Sequence, residues 1–380
     1  MNKIFNGRLY LEGIKKIRVL GIAFSIVIIV LNALVPLTHF LIAFVQAAES
    51  GFKEGIIATV VSAEYFAVPT TLLMFFTPFF IFTIFAYLNS RAESDFYHAI
   101  PYTRASVYLS FTAAAYTWIF GILIASTSLT TLLWTINPYA SFTLSTPLFV
   151  LAEYAVATLF IGAISSVAAC LTGTKASQFF VTMILLFFLR ITATAFVLCV
   201  QGLAPVLDIN NSLLMLLSPS NYFPLSVFSN LFYGDVLSTP APWIYALCVS
   251  AAGFAVSGVL YVKRRSETAG KSAPNKVFQH IFRCLFVLPW VAAIGALILF
   301  EAHIAFIFVL CNIALVVYFL YELITTKSAK AMLKAAPFLA VLLVVGLLFV
   351  GGAHLAKNII LSQTYTPEQI DSVGMSKENG

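Results

Sequence analysis

Long apolar stretches separated by short polar ones set the pattern of this 380-residue chain. An apolar run of about 20 residues is long enough to cross a bilayer as a helix. Nine such runs are predicted, at 19–46, 66–88, 105–135, 148–172, 177–203, 243–262, 284–301, 303–324 and 336–355. The first and third exceed the bilayer thickness, so they are expected to tilt or protrude. The break between the seventh and the eighth, at Glu301-Ala302-His303, is short, and one long hairpin would also satisfy the pattern there. The predicted class is an all-α polytopic membrane protein of about nine transmembrane helices.

The polar segments carry patterns of their own. Residues 1–18 hold Lys3, Arg8, Lys15, Lys16 and Arg18. Tyr10, Ile14 and Ile17 share a helical face, Glu12 and Lys16 lie roughly opposite, and Gly7 and Gly13 interrupt the pattern. This predicts a basic helix at the membrane interface, the alternative being a merely solvated basic segment. Between the second and third runs, Ser90 and Glu93 have capping-box spacing, which predicts a helix starting at Arg91. Pro101 disfavours helix at Ile100 and stops it. Phe96, Ala99 and Ile100 fall on one face, and Thr103 is placed to cap the next helix. The prediction is a short amphipathic helix at the tip of a membrane loop, offering an apolar side away from the membrane. An ordinary interfacial loop is the other reading. Residues 205–242 contain five prolines yet include the apolar run 222–233, which predicts short helices dipping back into the outer leaflet. Trp243 and Tyr245 mark the interface where the sixth span begins.

Composition narrows the class. The chain is 61% hydrophobic and 9% charged, with a mean hydropathy of +0.98. Soluble domains carry about 25% charged residues. The net charge of +6 is no nucleic-acid footprint, because its distribution follows the spans. With the N-terminus cytoplasmic, 17 of the 21 Lys and Arg fall on inner segments and three, Lys53, Lys357 and Lys377, on outer ones. Positive charge concentrates on the cytoplasmic side, so this orientation is predicted, with the tail 356–380 outside.

Candidate chemistry is sparse. The five cysteines, Cys170, Cys199, Cys248, Cys284 and Cys311, lie in apolar segments without CxxC spacing, so neither a metal nor another cofactor is predicted. Gly270-Lys271-Ser272 resembles the end of a phosphate-binding loop, but Arg265 stands where the motif needs its first glycine. No catalytic constellation is evident, and uphill transport would need a partner's energy or an ion gradient. Arg190 lies near the centre of run 177–203, where a charge costs at least about 2.5–3.5 kcal/mol. It is either a contact for an anion or headgroup in a translocation path or a structural strut between helices. Glu64, Glu153 and Glu322 read as interfacial.

Two motifs then stand out. Asp95-Phe96-Tyr97-His98-Ala99-Ile100-Pro101 with Arg104 resembles the DFYHxxPxxR loop of a family of bacterial ABC-2-type transporter permeases. Lys263-Arg264-Arg265-Ser266-Glu267-Thr268-Ala269-Gly270 is similar to the RxSExAG run after the sixth span of the same family. The resemblance implies a coupling helix in which Phe96, Tyr97 and Ile100 dock by apolar contact on an ABC ATPase subunit. Glu93, Asp95, His98 and Arg104 would add polar contacts, and Pro101 the helix stop. The basic run 263–276 is either a second contact or an ordinary cytoplasmic loop. The resemblance also implies a six-span core over 19–262 after an interfacial helix over 1–18. A linker at 263–283 and three added spans over 284–355 would follow, with the tail 356–380 opening a truncated external domain. It further implies a non-catalytic exporter subunit in a bacterial plasma membrane, paired with a second permease subunit as a homo- or heterodimer and contacting membrane lipid. The alternatives are a non-transporting scaffold or sensor subunit and an ion-coupled secondary transporter. The latter would need deep ionisable pairs and inverted repeats.

Overall fold

The computed structural model describes residues 5–49, 59–61, 63–203, 240–271, 273, 276–299, 303–326, 328, 333 and 336–362. The dipping helices expected within 205–242 and the tail from 363 onward lie outside the described residues, apart from the first turn of the sixth-span helix.

The described chain is nearly all helical. Its α-helices, in order, are α1 (Gly7–Lys16), α2 (Arg18–Glu49), α3 (Glu64–Ile84), α4 (Arg91–Ala99), α5 (Arg104–Ile136), α6 (Ser145–Leu171), α7 (Lys175–Leu203), α8 (Pro240–Lys263), α9 (Lys276–Leu299), α10 (Ile304–Thr326) and α11 (Phe338–Leu361). A 3-10 turn, Ala86–Asn89, joins α3 to α4. The only described strands are two residues each: Thr59–Val60 runs parallel to Ala140–Ser141 and ties the α2–α3 connection to the α5–α6 connection.

Seven helices, α2, α5, α6, α8, α9, α10 and α11, are long and apolar enough to cross a membrane, the pattern of a multi-pass membrane protein. They coincide with seven of the nine predicted spans. The other two predicted spans fall on α3 and α7, whose described apolar stretches, Thr70–Ile84 and Lys175–Phe187, are shorter. A separate helix begins at Ile304, so the seventh and eighth runs are two helices packed side by side.

Helix α6 is the centre of the bundle. Its most apolar window is 72% buried, against 39% or less for every other candidate span. Around it α3, α5 and α8 share one hydrophobic core with α1 and α2. Helix α7 packs on α6 on one side and on α9 and α11 on the other, so it joins this core to the three C-terminal helices. Carboxamide and hydroxyl side chains cross-link the helices at membrane depth. Asn32 of α2 accepts from Thr70 of α3 and Thr130 of α5, both at 3.2 Å, and Thr71 pairs with Tyr154 at 2.6 Å. In hydrocarbon a polar side chain needs such partners, and each bond contributes about 0.6–2 kcal/mol.

Three sequence expectations change here. The linker is shorter than 263–283, because α9 begins at Lys276 and carries Arg283 fully buried. Glu322 is not interfacial: it is 4% exposed and pairs with Arg283 at 3.0 Å. Glu153, also read as interfacial, is 4% exposed within α6. The first and second cases share a cause. Basic residues near a helix end read as loop until a buried acid on a neighbouring helix is placed beside them.

Helix α1 is more than a surface helix. Asn6 caps it, its Oδ1 accepting from the Arg8 and Leu9 amides at 2.9 and 3.4 Å. Its inner face lies along α5: Tyr10 pairs with Thr117 at 2.9 Å, and Trp118 Nε1 donates to the Ile14 carbonyl at 3.3 Å.

Candidate functional site

Three connections at one end of the bundle, after α3, after α6 and after α8, converge on Arg264. Helix α8 ends at Lys263, and the next residue turns its side chain inward to 6% exposure. Its Nη1 donates to the carbonyls of Ala169, Cys170 and Thr172 at 2.9, 2.7 and 2.7 Å, and its Nη2 to that of Leu88 at 2.9 Å. The first three are the carbonyls that the end of α6 leaves without helical partners, and Leu88 sits in the turn after α3. A cation placed there also meets the negative end of the α6 dipole. Burial lowers the affinity of Arg264 for its proton, and the four carbonyl contacts favour the charged form.

Arg104 completes the joint from the other side. Its Nη1 donates to the Val262 and Arg264 carbonyls, both at 2.9 Å, and so closes the last turn of α8. The α6–α7 loop docks beside it through two backbone bonds. Gly270 N donates to Gly173 O at 2.8 Å, and Gly173 N to Lys271 O at 2.9 Å. A Cβ on Gly173 would stand 2.0 Å from the Thr268 carbonyl oxygen, and Gly270 has φ +78°, the left-handed region that favours glycine. One arginine and one glycine pair thus fasten the ends of α6 and α8, the start of α7 and the turn below α3.

Helix α4 rests on this joint. Thr103 caps α5 as predicted, accepting from the Ser106 amide at 3.2 Å, and Ile100 before Pro101 is extended at φ −67°, ψ 147°. The capping box is not made: Ser90 has the extended cap backbone, but its hydroxyl accepts no amide. The buried face also differs from the expected one. Ser94, Tyr97 and His98 turn inward, at a spacing of three and four residues, while Glu93, Asp95, Phe96 and Ala99 face out. Phe96 is 63% exposed. Tyr97 packs 4.3 Å from Tyr87 between ring centroids and donates to Glu12 of α1 at 3.0 Å. Lys16 lies over both rings, its Nζ 4.6 Å from the centroid of Tyr87 and 4.9 Å from that of Tyr97. Desolvation lowers the Lys16 pKa, with Glu93 and Glu12 opposing. Burial likewise lowers that of His98, helped by the nearby Arg104 and Arg264 cations and opposed by Asp95. An open groove of about 790 Å³ between α1 and α4 is walled by Glu12, Lys15, Arg18, Glu93 and Phe96.

The predicted site residues therefore divide. Glu93, Asp95 and Phe96 are presented outward. Tyr97, His98 and Ile100 are turned to the chain itself, because α1, the Tyr87 turn and α5 supply a closer apolar partner. Arg104 is committed to the end of α8, and Pro101 marks the stop after α4. Arg190 falls within α7, and its side chain lies outside the described residues. Arg264 and Gly173 are the functional candidates that sequence reasoning passed over. The signal for Arg264 was a basic residue immediately after a predicted span, where helix-end carbonyls need donors. Its place in the second motif was visible, but its role was hidden in the count of cytoplasmic charge.

The two motifs, about 170 residues apart in sequence, meet at this joint through Arg104, His98 and Arg264. Among the described residues no group of His, Cys, Asp and Glu is placed to hold a metal ion. Comparisons with known protein families, characterised proteins and solved structures found no match to this chain.

Proposed function

We propose that this chain is the membrane-spanning permease subunit of an ABC transporter working as an exporter, with α4 as the element that receives force from a separate ATPase subunit. The observation that carries this reading is the mounting of α4. It is a nine-residue helix outside the candidate spans, presenting Phe96 outward while its other face is keyed to a joint shared by α3, α5, α6, α7 and α8. A push on α4 would pass through its packed inner face to a joint whose own hydrogen bonds link five bundle helices, rather than through a flexible loop. The groove beside it offers both signs of charge, from Lys15 and Arg18 against Glu12 and Glu93, next to an exposed aromatic ring. Such a mixture suits a protein surface.

In this reading the nucleotide chemistry belongs to the partner, Glu93, Asp95 and Phe96 make the contact, and a second permease subunit completes the path. The N-terminus and α4 lie in the cytoplasm of a bacterial cell, and α9 to α11 are an addition to a six-span core. The test is purification of the tagged chain from its native membrane in mild detergent. The reading requires an ATPase subunit to copurify and its hydrolysis to respond to the permease. Recovery of the chain without any ATP-hydrolysing partner, under conditions that keep it folded, contradicts the reading.

A further inference from the structure

Two asparagines lie deep in candidate spans, and the protein treats them differently. Asn32 of α2 is fully buried, donates Nδ2–H to the Ile28 carbonyl at 2.9 Å, and has its Oδ1 filled by the Thr70 and Thr130 hydroxyls. Asn312 of α10 makes the same first bond, from Nδ2 to the Phe308 carbonyl at 2.8 Å, but its side chain faces away from the bundle. No described residue fills its Oδ1.

The surroundings make this unusual. Helix α10 packs mainly on α9 and more lightly on α7. On that side Ala314 and Tyr318 are buried with Val287 of α9 and Leu342 of α11, and Tyr321 is buried among α7 and α9 residues. The opposite face carries Ala305, Val309, Asn312 and Val316 at alternating spacings of four and three residues, all exposed. Val309 is 55% and Val316 62% exposed. Exposed Val, Leu and Phe are ordinary against lipid. An outward carboxamide eight residues into the span is not, because lipid tails supply no hydrogen bond.

We infer that this face of α10 is an interface between two copies of this chain, with Asn312 meeting Asn312. Two copies share one orientation in the bilayer, so a two-fold axis along the membrane normal brings equal depths together. The carboxamide is self-complementary. Each Asn312 keeps one Nδ2–H on its own Phe308 carbonyl and gives the other to the partner's Oδ1. The four-and-three spacing is that of a left-handed helix pair, in which a single polar residue fixes register and partner number. The inference is independent of the permease reading, since it uses neither α4 nor an ATPase.

The test places a photoreactive phenylalanine analogue at Val316 of the full-length chain, in membranes. The expected product is an adduct at twice the 41.5 kDa mass, confirmed as chain-to-chain by peptide mapping. The same probe at Leu347 of α11, which is 74% exposed, should give little of it. Asn312→Leu should lower the Val316 adduct about three- to thirty-fold, and Asn312→Gln less. Because Asn312 bonds to no other helix of its own chain among the described residues, Asn312→Leu should keep the wild-type melting temperature. Asn312→Thr, whose hydroxyl can bond to its own helix, is the second variant if leucine impairs insertion, and it too should lower the adduct. The inference is overturned by an adduct with a different protein, by no adduct, by equal adducts at Val316 and Leu347, or by a yield unchanged in either variant.

Discussion

Arg104 donates its Nη1–H to the backbone carbonyl of Arg264 at 2.9 Å, and Arg264 then carries the load of the helix ends. The second guanidinium spreads over four carbonyls from the end of α6 and the turn below α3. Two cations sit close together, with no salt bridge to either among the described residues, because each faces carbonyl dipoles.

Arg264→Met follows directly. It keeps length and apolar stem but leaves buried carbonyls unpaired. Each orphaned acceptor costs about 1–3 kcal/mol, so a loss of at least about 3 kcal/mol is expected. Arg264→Lys should recover only part of it, since an ammonium cannot reproduce the planar fork that reaches Leu88 and Cys170 together. Thermal melting in detergent checks the order wild type, Lys, Met. A methionine variant within about 1 kcal/mol of wild type would remove Arg264 as the joint.

Gly173→Ala tests the same joint from the α6–α7 loop. The new methyl meets a backbone oxygen that cannot rotate away, so about 2 kcal/mol or more is expected from the displaced backbone. Gly270→Ala should cost about 1–2 kcal/mol through its positive φ. Parity between Gly173→Ala and an alanine at exposed Gly121, which has open space, would contradict the close approach.

His98 makes the seat of α4 sensitive to acid. Its pKa in the seated helix lies below the ordinary 6.5, through burial first and the Arg104 and Arg264 cations second. The seated state binds fewer protons than the released one. Seating is therefore strongest above about pH 6.5 and weakens as pH falls through the lowered value. Hydrogen exchange of peptide 91–100, corrected for intrinsic rates, should speed up between pH 7.5 and 5.5, and His98→Asn should flatten the response. An unchanged response in that variant would assign the effect elsewhere.

The Arg283–Glu322 pair makes a separate prediction for α9 and α10. Arg283 is fully buried, hydrogen-bonded also to His280 at 2.7 Å, and Gln279 donates to Glu322 at 3.1 Å. Glu322→Leu strands the guanidinium and should cost about 3–5 kcal/mol, while adding Arg283→Met should recover much of it. A double variant no more stable than the single one would show that the pair does not act as a unit.

What was legible in the sequence was local. Pro101 and Thr103 set the end of α4 and the start of α5, and apolar run length placed all seven helices of spanning composition. What was not legible depends on partners distant in the chain. The Arg264 carbonyl partners are 92 to 176 residues away, and Glu12 is 85 residues from Tyr97. Periodicity assigned Ile100 to an outward face because it sees one helix at a time. It cannot register that Tyr87 and Phe111 wait beneath α4. For the same reason Arg283 read as part of a linker and Glu322 as interfacial until α9 and α10 are packed together.

The central claim is that α4 is where a separate ATPase meets this chain. The most direct measurement is a photoreactive analogue at Phe96 in native membranes, with the probe at Val309 of α10 as a control. The account predicts an adduct from Phe96, and not from Val309, with a protein that mass spectrometry identifies as carrying the phosphate-binding loop this chain lacks. Phe96→Asp should release that protein while leaving the melting temperature within a few degrees of wild type. An adduct from Phe96 to lipid alone, or full retention of the ATPase by Phe96→Asp, would contradict it.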